Sequence, residues 1–125
     1  RYTLVNTLCL LIIVVGVYCS ERISVDHSRN MLVDESGRVR IFHGMNVVYK
    51  TEPYHPSTDS FDPLHSLCEE DIENLYKWGF NIVRLGVLWQ GVEPQKNQIN
   101  QTYLDTMGSI VENLGKWDIY SLIDA

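Results

Sequence analysis

The sequence predicts an α/β fold with parallel strands, and three observations carry that expectation. Short apolar runs of strand length alternate with two amphipathic patterns at helical spacing. Their order is hairpin, strand, helix, strand, helix, strand, which implies parallel strands joined by right-handed crossovers. Apolar residues make up 45% of the 125 residues, with three Trp and seven Tyr, so the chain can build a core, and one domain is the ceiling.

The first segment is set apart. Residues 8–19 are apolar or nearly so, Arg1 lies ahead of them, and Val17-Tyr18-Cys19-Ser20 offers small residues at a cleavage point, so residues 1–20 read as a secretory signal peptide. A signal anchor is the rival reading, but Thr3, Asn6 and Thr7 leave a continuous apolar run shorter than the ~20 residues a span needs. The expected location is therefore secreted, lysosomal or extracellular. Cys9 and Cys19 fall in this segment, which leaves Cys68 alone, expected as a buried free thiol on a helix, the alternative being a disulfide to a residue beyond Ala125. Residues 21–30 are polar and unpatterned and read as a linker, and the domain is expected over 31–125. The chain begins with Arg1 and stops at Ala125 directly after a strand-like run, so further sequence is expected at both ends.

Within the domain, residues 31–33 and 38–42 have the form of a β-hairpin whose turn uses Gly37 for a positive φ. Residues 41–49 follow as a strand, broken or bent at Gly44. Pro53, Pro56 and Pro63 then forbid regular structure over 51–63, and a loop of that length in a compact domain is usually functional. Ser66 and Glu69 form a capping-box pattern, Glu69, Glu70 and Asp71 load a first helical turn, and Gly79 closes the helix. Cys68, Ile72, Leu75 and Tyr76 share its apolar face. Residues 80–89 read as a buried strand; Tyr103, Leu104, Met107, Ile110, Val111 and Leu114 mark a second helix; and residues 119–124 form a third strand.

Several chemistries are excluded by what these elements carry. The formal charge is -6 and the ten Lys and Arg are scattered singly, so a nucleic-acid partner has no electrostatic footprint. His27, His43, His55 and His65 share no ligand spacing, so no metal is expected. Phe42-His43-Gly44-Met45-Asn46 lacks the G-x-G-x-x-G pattern, which weighs against a dinucleotide cofactor.

The chemistry-bearing candidates lie on the strands and at their ends. Arg84 sits mid-strand among apolar neighbours, on the face opposite Val83, Leu85 and Val87, and a guanidinium buried there must find a carboxylate or several acceptors. It is either a structural ion pair or part of a site. Asp124 is its candidate partner, or else a strand-end carboxylate capping the next loop. Lys50 closes the first strand at the same rim, His43 and Asn46 serve either backbone or ligand, and Trp89 can stack on a sugar ring or belong to the core. Glu93-Pro94 follows Val92 in the loop after the second strand and is rejected as a proton donor. Asn100-Gln101-Thr102 is an N-glycosylation sequon at Asn100.

Taken in order, the residues from Gly37 through Lys50, Pro53-Tyr54-His55-Pro56, Phe61-Asp62-Pro63, Glu70-Asp71-Ile72, Lys77-Trp78-Gly79-Phe80-Asn81, Val83-Arg84-Leu85-Gly86, Trp89, Val92-Glu93-Pro94 and Tyr103-Leu104-Asp105 resemble the endoglycoceramidases of glycoside hydrolase family 5. The resemblance implies a (β/α)8 TIM barrel, of which this chain holds the N-terminal hairpin and roughly the first three strands with two helices. It implies a retaining glycosidase that hydrolyses the β-glycosidic bond between oligosaccharide and ceramide in glycosphingolipids, with no cofactor and with a membrane surface met only through the lipid substrate; the alternatives are another family 5 glycosidase of the cellulase, mannanase or steryl glucosidase type, or a non-catalytic carbohydrate-binding barrel. The two catalytic Glu belong after the fourth and seventh barrel strands, outside this chain, so the piece alone is expected to be inactive. By the same resemblance Arg84 positions the nucleophile, Lys50, Trp89 and Asp124 bind substrate, and Asp124 starts the family's Asp-x-His-Gln-Asp segment. Asn97 and Asp118 stand where the family commonly has Gly, and both tolerate left-handed backbone; Ile99 replaces a Tyr.

Overall fold

The computed structural model describes residues 21–125. The apolar segment at 8–19, with the expected signal peptide, Cys9 and Cys19, lies outside the described residues.

Two short strands, β1 (Ser24–Asp26) and β2 (Met31–Val33), form an antiparallel pair. They are followed by β3 (Gly44–Val47), α1 (Glu69–Lys77), β4 (Ile82–Gly86), the single turn α2 (Trp89–Val92), α3 (Gln101–Lys116) and β5 (Tyr120–Asp124). Strands β3, β4 and β5 make a parallel sheet in that order, with β4 central. The expected α/β order is thus present, with α1 and α3 as the crossovers.

Alternation along β4 explains which side of the sheet is covered. Val83 and Leu85 are fully buried and pack on Ile72 and Leu75 of α1 and on Met107, Ile110 and Leu114 of α3. Each such side chain contributes about 1.5–3 kcal/mol relative to solvent exposure. The opposite face carries Arg84, and Leu122 beside it stays 54% exposed, so no layer covers that face among the described residues.

Gly44 opens β3 rather than breaking it. A Cβ there would stand 1.7 Å from the Ile82 carbonyl oxygen, so only glycine allows β3 and β4 to approach this closely. Asn81 extends the pairing below the ladder: its Nδ2 donates to the Ile41 carbonyl at 2.9 Å and its Oδ1 accepts from the His43 N–H at 2.8 Å. The strand expected over 41–49 is therefore regular only across its middle.

Three local expectations shift. Gly37 does turn the chain, with φ +74° and its N–H donating to the Asp34 carbonyl, but the segment after it makes only one bridge, Val33 to Val39. The ladder partner of β2 is instead β1, inside the stretch read as a linker. Asp26 is the reason: its carboxylate accepts from Ser28 and Arg29, which reverses the chain at 27–30 and lays 24–26 beside 31–33.

The capping box sits later than Ser66 and Glu69. Cys68 is the N-cap, and Asp71 accepts its N–H at 2.9 Å, while Ser66 Oγ binds Asp62 and Asp71 and so pins the preceding loop. Cys68 itself is a buried free thiol, as expected. Gly79, at φ +80°, follows the C-cap Trp78, and Asn97 and Asp118 adopt the expected left-handed backbone at +64° and +55°.

Candidate active site

The strand running through 80–89 ends at Gly86, not Trp89. The Val87 N–H donates to the Asp124 carbonyl at 2.8 Å, and the chain then turns into α2, whose first residue is Trp89. Gly91 permits that turn to lie flat on α3, since a Cβ there would stand 2.5 Å from the Tyr103 ring. Trp89 is consequently 69% exposed at the rim and takes no part in the core.

At the C-terminal ends of the parallel strands the register brings the polar residues together. Asn46, Arg84 and Leu122 lie side by side across β3, β4 and β5, and Gly86 lies beside Asp124. With a side-chain period of two, Asp124 and Arg84 share one face. The Arg84 Nη2 donates to Asp124 Oδ2, and Nη1 makes a long 3.5 Å contact to Asn46 Oδ1.

Arg84 is not enclosed, contrary to its mid-strand setting. Its side chain is 41% exposed and that of Asp124 48%, because the face they occupy is uncovered among the described residues. An ion pair exposed to that degree is worth about 0–1 kcal/mol. Its value is therefore geometric: Asp124 and, at longer range, Asn46 fix where the guanidinium sits.

Two concavities flank this centre. The larger, about 580 Å³, lies between β3, α1 and the proline-rich loop and is lined by Tyr49, Phe61 and Trp78 together with Asp62, His65 and Asp71. It sits on the helix-bearing side of the sheet. The smaller, about 210 Å³, is lined by Gly44, Asn46, Ile82, Arg84 and Leu122 and runs along the uncovered face from Arg84 toward the N-terminal ends of β3 and β4. We take the pair of Arg84 and Asp124 on the uncovered face as the candidate site. The polar groups of the larger cavity, Asp62, Ser66 and Asp71, are bound to one another and to the α1 N-cap, whereas the Arg84 guanidinium pairs with Asp124 at the end of the sheet where barrel enzymes build their sites.

The remaining candidates are spread around the rim. Lys50 is exposed just past β3 and makes no ion pair among the described residues. His43 stacks on Phe80 at the opposite end of β3, with ring centroids 4.6 Å apart, and belongs to the base of the sheet rather than the site. Glu93 accepts from the Asn97 N–H and shapes the turn at 93–97. Asn100 is the N-cap of α3, its Oδ1 accepting from the Tyr103 N–H at 3.1 Å.

Sequence reasoning missed the hydroxyl of Tyr103. The residue is 3% exposed, and its Oη accepts from the Leu88 N–H at 3.1 Å and donates to the Tyr54 carbonyl at 3.3 Å. The available signal was a tyrosine at a core position of an amphipathic helix, where a buried phenol needs polar partners.

With this geometry in hand, the relatives are informative. The model of the family described as Cellulase (glycosyl hydrolase family 5) matches residues 43–125. The chain is 43% identical over 102 residues to an endoglycoceramidase of Hydra vulgaris, covering 82% of this chain and 20% of that protein. A crystal structure of an endogalactoceramidase superposes with TM-score 0.64 at 23% identity, covering 81% of this chain and 22% of the other. The endo-glycoceramidase II of a Rhodococcus species, solved with a five-membered iminocyclitol, gives TM-score 0.55 at 26% identity over 74% of this chain and 20% of its own. The chain thus spans about a fifth of the length of the relatives it matches, and its sheet and crossovers are a partial α/β array of their TIM-barrel fold.

Proposed function

This chain belongs to glycosyl hydrolase family 5, and from that premise we propose that the protein is a retaining glycosidase that cleaves the β-glycosidic bond between oligosaccharide and ceramide in glycosphingolipids. The observation that carries the reading is the guanidinium of Arg84, held mid-strand by Asn46 and by Asp124, the residue that closes β5 at the C-terminal end of the parallel strands. Active sites of (β/α)8 enzymes are built at that end.

Retention requires two carboxyl groups about 5–5.5 Å apart, one attacking the anomeric carbon while the other protonates the departing ceramide oxygen, after which water releases the sugar. Both belong to strands beyond the three described here. The role of Arg84 is to hydrogen-bond the nucleophilic carboxylate and hold it ionised and oriented, a task that a planar fork of donors suits better than an ammonium. Lys50, exposed beyond β3, and Trp89, exposed beyond β4, flank the entrance as polar and stacking contacts for the glycan. Asp124 serves as the orienter of Arg84 and as a rim contact. Secretion through the N-terminal apolar segment and a glycan on Asn100 complete the reading.

The test is incubation of the full-length protein with a ganglioside and, separately, with cellulose. Release of the intact oligosaccharide together with free ceramide supports the proposal. Cleavage of cellulose with the ganglioside untouched would replace the substrate class, and no cleavage of either would leave a binding protein on a hydrolase fold.

A further inference from the structure

Two loops leave the C-terminal ends of β3 and β4, on the side of the sheet toward which the candidate site opens. The first, after β3, carries Lys50 and Tyr54; the second, after β4, carries Leu88 and the exposed Trp89. Neither belongs to a ladder, so something else must set the distance between them. One buried atom touches both: the Tyr103 hydroxyl accepts from the Leu88 N–H at 3.1 Å and donates to the Tyr54 carbonyl at 3.3 Å. Tyr54 holds a left-handed backbone, φ +66°, which a non-glycine residue keeps only where its surroundings enforce it. The ring is fixed in turn, because Gly91 of α2 lies against it so closely that a methyl group would not fit.

We propose that Tyr103 is a positioning residue whose hydroxyl ties the loop after β3 to the turn after β4 and thereby sets the spacing of Lys50 and Trp89 across the glycan cleft. The proposal rests on the glycosidase reading for its functional half. Its mechanical half stands on the two hydrogen bonds alone. Because the tie is remote from the reacting bond, its loss weakens substrate binding and transition-state binding alike, which raises KM and leaves kcat nearly unchanged.

The experiment uses the full-length protein and two variants, Tyr103→Phe, which removes only the hydroxyl, and Gly91→Ala, which displaces the ring and keeps it. Amide hydrogen exchange and hydrolysis of a ganglioside carrying a fluorescent ceramide are measured for each. The expected result is faster exchange at Leu88 with Leu85 and Ile110 unchanged, and a rise in KM of about fivefold to tenfold, the scale of one neutral hydrogen bond, with kcat within about twofold. A fall in melting temperature with unaltered KM would assign Tyr103 to packing alone and overturn the proposal, as would Leu88 exchange that does not change. If the wild-type protein cleaves no glycoside, the glycosidase reading and the cleft role fail together, while the Leu88 exchange still decides whether the tie exists.

Discussion

Arg84 and Asp124 stand 40 positions apart in sequence and form an ion pair across adjacent parallel strands, on a diagonal: the residue in register with Asp124 is Gly86, and the residue in register with Arg84 is Leu122. Gly86 has no side chain, so the Asp124 carboxylate leans back along the face to the guanidinium. Asn46 reaches the same group from β3, and three strands thereby orient one cation.

Replacing Arg84 with Lys keeps the charge and loses the fork. Lysine cannot bind Asp124 and a second carboxylate in one plane. The full-length Arg84→Lys variant is expected to lose about 100-fold or more in kcat, on the scale of removing one preorganised electrostatic contact, with its far-UV circular dichroism unchanged. Wild-type turnover in that variant would remove Arg84 from the site.

Gly44→Ala places a methyl on the Ile82 carbonyl, where a Cβ would be 1.7 Å from oxygen. The strands must separate or the backbone must twist, and the cost is about 3 kcal/mol or more, beyond ordinary overpacking. Urea unfolding measures it, and a loss under about 1 kcal/mol would mean that β3 does not lie this close to β4.

Gly108 offers the opposite outcome. It lies within α3, exposed, with nothing within 4 Å of where a Cβ would stand. Gly108→Ala is expected to raise stability by about 1 kcal/mol, because alanine restricts the unfolded chain without a steric cost. A lowered urea midpoint would show that the helix surface is covered there.

Asp34 makes the turn after β2 sensitive to acid. It is 2% exposed, and burial pushes its carboxyl up, but the Arg38 backbone N–H and then the Arg38 guanidinium outweigh this and hold it below its ordinary 3.8. Asp26 shifts the same way, chiefly through the Ser28 hydroxyl and then Arg29. A depressed folded value contributes stability that is present above the unfolded value and is lost as pH falls through the folded one. Asp34→Asn is therefore expected to be less stable than wild type at pH 7, with the gap narrowing below pH 3.8. Unfolding at pH 7 and at pH 3 checks this, and a gap that stays constant would mean that the carboxylate's charge contributes nothing.

Asn100 is the N-cap of α3 and, in the proposed reading, also a glycan acceptor, and substitutions can separate the two. Asn100→Asp keeps an oxygen for the Tyr103 N–H and abolishes the glycan acceptor, whereas Thr102→Ala abolishes the acceptor and leaves Asn100 in place. Both variants, expressed through a secretory pathway, are expected to lose the same glycan mass without a change in melting temperature beyond that of the missing glycan. A wild-type protein of bare polypeptide mass would refute modification at this position.

Much of the fold was legible because its signals are local. Ile72 and Leu75, then Met107, Ile110 and Leu114, repeat at helical spacing, and Val83 and Leu85 alternate with Arg84; each pattern needs only a few consecutive residues to be read, and all seven apolar positions are buried. Positive φ at Gly37, Gly79, Asn97 and Asp118 follows from backbone sterics at single residues. The partner choices were not legible. Asp26 captures Ser28 and Arg29 and so diverts β2 to β1, and Asp71 rather than Glu69 closes the capping box, because hydrogen bonds go to whichever acceptor the folded chain brings within reach.

At the site the division is the same. Alternation alone puts a permanently charged side chain on one face of a strand, and residue order puts carboxylate, amide and aromatic residues near the ends of the neighbouring elements. Folding brings Asn46 and Asp124 to that charge, takes Trp89 out of the strand into an exposed turn, and carries the Tyr103 hydroxyl to both rim loops. Strand register and crossover length, which no short window of residues encodes, set those distances.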